Sequence, residues 1–212
     1  PVVEDVTQSL YAKINNKPAG SFGIASIISF YATKLITTLG EGGAVLTDSK
    51  SLYETISDLK TYDKKDKFLL RYNYKMSEVQ ALVGIEQLKI LPQIVKQRQK
   101  LFEYYKNKLK NCTKIKIFEP VENCEPVFYR FIIQFKEKVN LNKTIEYFAK
   151  NGVEVAKPVY LPLDKYYLGK YIGENSKQLY ETTLSLPIYP SLSYHQIDKV
   201  VNVLFRFIKQ LG

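Results

Sequence analysis

The chain has 212 residues, 45% of them hydrophobic and 25% charged, which is enough to bury a core and build one large or two small domains. No apolar run reaches the ~18 residues of a membrane span and no signal peptide opens the chain, while two cysteines, Cys112 and Cys124, are too few for a disulfide framework and point to the cytoplasm. A single histidine, His195, argues against a histidine-built metal site, and the net charge of +10 suits an anionic partner. The lysines are spread along the chain without a nucleic-acid-binding motif. Phosphorylated small molecules are therefore the better match than nucleic acid.

Taken in order, residues 1–6 read as a core strand with Glu4, Asp5 and Gln8 at its C-terminal end. In open α/β sheets that end faces the ligand crevice. From local sequence alone, both Asp5 and Gln8 also suit loop-capping roles. Residues 17–23 form a turn-rich connector, and the apolar run 24–32 reads as a buried strand that delivers Lys34 to a turn. Gly40, Gly42 and Gly43 let the chain fold back into a short strand, 44–47. A lysine on the lip of such a strand pair loses hydration, which frees an amine to attack a carbonyl. Most of the 31 lysines and arginines are solvated surface charges, and Lys34 fits that reading too.

Helical spacing begins after Asp48, with Leu52, Ile56 and Leu59 on one face, and 60–71 is a charged loop ending in Tyr72-Asn73-Tyr74. Ser77 and Gln80 have capping-box spacing and start a helix that Pro92 ends or kinks; 93–110 forms a second, basic helix. Beyond Thr113 the pattern becomes α+β. Strands are predicted at 114–118, 127–135 and 153–156, a helix at 143–150 stopped by Gly152, and a proline-punctuated strand or loop at 184–190. Ser193 and Gln196 repeat the capping-box spacing before a final amphipathic helix carrying Ile197, Val200, Val201, Leu204 and Ile208. His195 falls in its first turn, where a solvated role is expected.

Four blocks, in order, resemble the DegT/DnrJ/EryC1/StrS family of sugar aminotransferases, pyridoxal-phosphate enzymes of the type I aspartate-aminotransferase fold. They are VVEDVTQS at 2–9, SFYATKLITTLGEGG at 29–43, YNYKMSEVQA at 72–81 and LSLPIYP at 184–190. The resemblance implies part of a large cofactor-binding α/β domain with an incomplete sheet over residues 1–91. A linking helix and a small C-terminal α+β domain then occupy 92–212. It also implies that Lys34 binds the cofactor covalently and that Asp5 pairs with the pyridinium nitrogen. Gln8 would lie near the ring, and Ser29 would hydrogen-bond the phosphate. Asn73 would contact the phosphate of a neighbouring subunit in a homodimer with shared active sites.

The implied reaction moves an amino group, usually from glutamate, to a nucleotide-linked keto-sugar. The chain opens at Pro1 and lacks the family's phosphate-binding turn, so the resemblance implies a C-terminal part that is inactive alone. Residues 157–163 stand where the family commonly has a histidine-containing HYPxPLH-like segment, and the histidines are missing. The alternatives are a sugar dehydratase on the same scaffold and a non-catalytic regulatory protein.

Overall fold

A computed structural model describes residues 1–167 and 173–211. In chain order the elements are β1 (Val3–Asp5), β2 (Lys13–Ile14), β3 (Lys17–Pro18), β4 (Ala25–Ser29), β5 (Gly43–Leu46), α1 (Lys50–Leu59) and α2 (Glu78–Leu109). There follow β6 (Ile115–Ile117), β7 (Cys124–Glu125), β8 (Phe131–Phe135), α3 (Leu141–Lys150), α4 (Leu163–Tyr166), α5 (Glu174–Thr182), β9 (Thr183–Leu186) and α6 (Tyr194–Lys209). The chain divides into two compact units, Pro1–Val95 with Pro120–Tyr129, and Lys96–Glu119 with Arg130–Gly212.

The first unit holds a three-stranded sheet in the order β1-β4-β5. β1 and β4 are parallel, with Asp5 opposite Ile27, and β4 and β5 are antiparallel, with Ser29 opposite Gly43. Both 1–6 and 24–32 were expected to be longer strands. The second was also expected to be buried, yet in β4 only Ala25 and Ser26 are, and Ile24 and Ile27 are exposed. Apolar runs report hydrophobicity, not the presence of a neighbouring layer. A second small sheet, β3-β2-β7, draws the 120–129 segment into this unit.

α1 starts as expected, with the Ser49 hydroxyl accepting from the Leu52 amide. The box at the head of α2 also forms: Ser77 Oγ accepts from the Gln80 amide at 3.3 Å, and Gln80 Oε1 accepts from the Ser77 amide at 3.1 Å. Pro92 does not end this helix, which runs on as one element to Leu109. Proline costs the helix one hydrogen bond. Leu91 and Val95, both buried beside it in a cluster with Leu35, Ile36 and Val127, supply packing that holds the helix through the gap.

The second unit carries the antiparallel sheet β6-β8-β9. Along β8, Phe131, Ile133 and Phe135 are buried and alternate with half-buried Ile132 and Gln134, the period-two pattern of a strand with one core face. α6 buries Ile197, Val200, Val201, Val203, Leu204 and Phe207, and its capping box at Ser193 and Gln196 is complete. Each such fully buried side chain contributes about 1.5–3 kcal/mol of transfer free energy. α3 begins at an Asn140 cap and packs on the same core through Leu141 and Phe148.

Two expectations fail beyond Thr113, and one helix was not anticipated. Residues 127–130 are not strand, because Phe128 adopts φ +47° and turns the chain before β8. Residues 153–156 contribute only a single bridge, Ala156 to Ser185, although Val153 and Val155 are buried with strand-like alternation. α5 was not anticipated, since its sequence ENSKQLYET has a weak apolar face, Leu179 being 42% exposed.

Candidate active site

β1 ends in two adjacent carboxylates that the strand sends to opposite faces. Glu4 is consumed by the connector: its Oε2 accepts from the Gly20 amide at 2.7 Å, and its Oε1 from the Phe22 and Gly23 amides at 2.6 and 2.7 Å. These amides, with the charge of Lys17, hold its carboxyl below the usual glutamate range against a smaller opposing effect of burial. Asp5 takes the other face. Its Oδ1 accepts from the Thr7 amide at 3.0 Å, so it caps the turn after β1. Its carboxyl is held below the usual aspartate range, first by the Thr7 amide, then by the Thr7 hydroxyl, with a further contribution from the positive charge of Lys34.

β4 leads into the turn that carries Lys34. Ser29, its last residue, accepts from the Tyr31 amide at Oγ (3.3 Å). The Lys34 amide donates to the Tyr31 carbonyl at 2.9 Å, and the Thr38 amide to the Phe30 carbonyl at 3.1 Å. Leu35 and Ile36, 7% and 1% exposed, anchor the turn in the core, leaving half-buried Lys34 at its lip. The return path is tight. Gly40 sits at φ +125°, and a Cβ on Gly42 would collide with the Thr38 hydroxyl, so this stretch needs glycine at both positions. Lys34 Nζ lies over the Tyr129 ring, 5.8 Å from its centroid, and the Tyr129 hydroxyl donates to the Thr33 carbonyl at 3.1 Å.

The structure thus brings Asp5, Ser29 and Lys34 to one end of the parallel pair β1–β4. Gln8 is exposed in the turn just after β1. Asn73 is exposed on the loop that returns to the end of α1, bridging Thr61 in antiparallel fashion. Among the described residues no hydrogen bond joins it to the other four. Its loop is held down by Asp58, which pairs with Lys65 at 2.6 Å and Arg71 at 2.9 Å. Sequence reasoning missed Tyr129, which stands 96 positions from its partner Thr33, and it gave Glu4 no separate role.

Residues 157–163 fall in the second unit. There Pro158, Val159, Pro162 and Leu163 line an apolar cavity of about 660 Å³ with Ile132 and Tyr180. His195 is exposed in the first turn of α6, as expected. Among the described residues there is no cluster of side chains able to hold a metal ion, and no helix long and apolar enough to cross a membrane.

A parallel strand pair that ends in a lysine turn, followed by an α+β unit, is the fold of the type I aminotransferases, and solved structures bear this out. The aminotransferase TlmJ from Streptoalloteichus hindustanus superposes with a TM-score of 0.91 at 21% identity, over all of this chain and 59% of its own. The GDP-4-keto-6-deoxy-D-mannose-3-dehydratase of E. coli superposes at 0.84 with 25% identity, over 95% of this chain and 59% of its own. The chain belongs to the DegT/DnrJ/EryC1/StrS aminotransferase family, whose model matches residues 1–205. In sequence it is 29% identical to the UDP-4-amino-4,6-dideoxy-N-acetyl-β-L-altrosamine transaminase of Campylobacter jejuni, over 100% of this chain and 59% of the transaminase. The chain spans about three-fifths of the length of the curated relatives it matches.

Proposed function

We propose that this chain carries the lysine and the ring-side acid of a pyridoxal-phosphate-dependent aminotransferase acting on a nucleotide-linked keto-sugar, with glutamate as donor. The observation that carries this reading is the placement of Asp5 and the Lys34 turn at the same, C-terminal end of the parallel pair β1–β4. The residues present suit the cofactor: an amine, a carboxylate kept ionised, and a hydroxyl on one strand end. When bound, pyridoxal phosphate supplies a carbonyl and an electron-accepting ring through which an amino group is exchanged.

In this reading Lys34 would hold the cofactor covalently through Nζ, and the same nitrogen, once the incoming donor amine has displaced it, would take and return a proton. Asp5, ionised with help from Thr7, pairs with the protonated ring nitrogen. Ser29 keeps its hydroxyl hydrogen for a phosphate oxygen while its lone pair holds the Tyr31 amide. Gln8 would lie near the ring. Asn73 reaches the phosphate of a second copy, so the active unit is a homodimer. Residues 1–91 then form the cofactor domain and 92–212 the linking helix and small domain. The two free cysteines suit the cytoplasm.

The likeness to the 3-dehydratase keeps a dehydratase as the second reading. The family resemblance implies that some dehydrating members carry histidine in place of this lysine, and position 34 is lysine here. The test is borohydride trapping of pyridoxal phosphate in the whole protein that carries this chain, with the labelled peptide identified by mass spectrometry. The adduct is expected at Lys34 and absent in Lys34→Ala, and glutamate is expected to convert the bound cofactor to its pyridoxamine form. Trapping at other lysines alone would overturn the reading. An adduct at Lys34 without amino transfer from glutamate would favour the dehydratase.

A further inference from the structure

We propose that Tyr129 is the positioning residue for Lys34, delivered to the lysine turn by the 120–129 segment acting as a strap. The proposal rests on the reading that the Lys34 amine is the reactive group. Thr33 C=O and Lys34 N–H belong to one planar peptide. That plane is gripped on both sides: the Tyr129 hydroxyl donates to its oxygen at 3.1 Å, and its N–H donates to the Tyr31 carbonyl at 2.9 Å. Fixing the plane fixes the direction in which Lys34 leaves the backbone. The Tyr129 ring then faces the ammonium, with Nζ 5.8 Å from its centroid, within reach of the ring's negative face.

The strap is built for this delivery. β7 pairs with β2, Cys124 opposite Ile14 and Glu125 opposite Lys13, and Lys13 Nζ meets Glu125 Oε2 at 3.3 Å. Val127, 3% exposed, is buried in the same cluster as Leu35 and Ile36, the two residues that follow Lys34. Between Val127 and Tyr129 the backbone of Phe128 is forced to φ +47°, a conformation an aromatic residue rarely adopts. Such strain persists only where the surroundings over-determine it. Here it lets Val127 enter the cluster while Tyr129 reaches the lysine turn.

The test uses the cofactor-free full chain and two variants, Tyr129→Phe, which keeps the ring, and Tyr129→Leu, which removes it. Two quantities are read. One is trace acetylation of Lys34 by acetic anhydride, referenced to the other lysines by mass spectrometry. The other is hydrogen exchange at the Lys34 amide. Loss of the hydroxyl in Tyr129→Phe is expected to speed exchange at Lys34 about five-fold and leave its acetylation unchanged. Tyr129→Leu is expected to speed exchange likewise and to raise acetylation of Lys34 alone roughly two- to five-fold. Unchanged exchange in Tyr129→Phe overturns the proposal, as does unchanged acetylation in Tyr129→Leu. Protection lost equally across residues 25–29 also overturns it, because the side chain then only stabilises the unit. Neither readout involves cofactor, so this outcome is separable from that of the trapping experiment.

Discussion

The Tyr105 hydroxyl offers a quantitative check on how the LSLPIYP segment is held in the second unit. The prolines at 187 and 190 cannot donate to a strand ladder, and carbonyls beside them need partners from elsewhere. α2 supplies two: Tyr105 donates to the Pro187 carbonyl at 2.9 Å, and Arg98, one heptad earlier, to the Ile188 carbonyl at 3.1 Å. The Tyr105 side chain is fully buried, and its ring stacks on Phe131 with centroids 4.4 Å apart. Tyr105→Phe keeps the stacking and removes only the donor. Leaving the Pro187 carbonyl unpaired is expected to cost about 1–2 kcal/mol in urea unfolding near neutral pH.

The pH dependence carries the sharper test. Burial pushes the Tyr105 phenol well above its ordinary range, with a smaller contribution from Tyr189. A group whose folded value is raised contributes stability that is complete below its unfolded value, about 10 for a phenol, and fades above it. The unfolded chain then releases a proton that the folded chain keeps. At about pH 10.5 this removes roughly 0.8 kcal/mol from the wild type and nothing from Tyr105→Phe. The gap between the two proteins should therefore narrow by that amount between about pH 8 and pH 10.5. The other sixteen of the 17 tyrosines are common to both and cancel in the difference. A gap that stays constant would show that the hydroxyl titrates as if solvated, and the reasoning about the segment would fail with it.

Two further outcomes follow from the same structure. Glu4→Gln should lower hydrogen-exchange protection at Gly20, Phe22 and Gly23 at neutral pH, because an amide cannot replace a charged acceptor of three N–H groups. Since the Glu4 carboxyl is held below the usual glutamate range, wild-type protection should persist at neutral pH and fade as pH falls through that lowered value, a step the variant lacks. Phe148→Ala, at a fully buried ring beside Phe207, should cost about 3–5 kcal/mol by chemical denaturation, and a loss under ~1 kcal/mol would contradict the packing described for α3 and α6.

What the sequence made legible was chemistry that is local along the chain. The boxes at Ser77–Gln80 and Ser193–Gln196 close within four residues, and the apolar face of α6 repeats every turn, so both could be read directly. The lysine turn was legible because its glycines mark the reversal. Relations between distant segments were not. Nothing near Tyr129 signals that its hydroxyl ends at Thr33, and Val127 looks like the start of a strand because the reversal at Phe128 uses a residue that ordinarily favours extended backbone. Pro92 fails to end α2 for a related reason: a local helix breaker is outweighed by buried neighbours whose partners lie far off in sequence.

The two carboxylates at the end of β1 show how far such placement depends on register. Glu4 and Asp5 carry the same functional group one residue apart, and either could in principle face the lysine. Pleating sends them to opposite faces, so the pairing of β1 with β4 decides which acid is spent on the connector and which is left on the other face, at the end where the Lys34 turn begins. A slip of one residue would exchange them. The longer Glu4 side chain would then face the lysine turn, and the shorter Asp5 would be asked to span the three amides that Glu4 now holds at 2.6–2.7 Å. Those three bonds form only in the observed register, and they tie the connector that precedes β4 to the strand that carries Asp5. The acid with no direct part in the proposed chemistry is therefore the one that fixes which acid takes part.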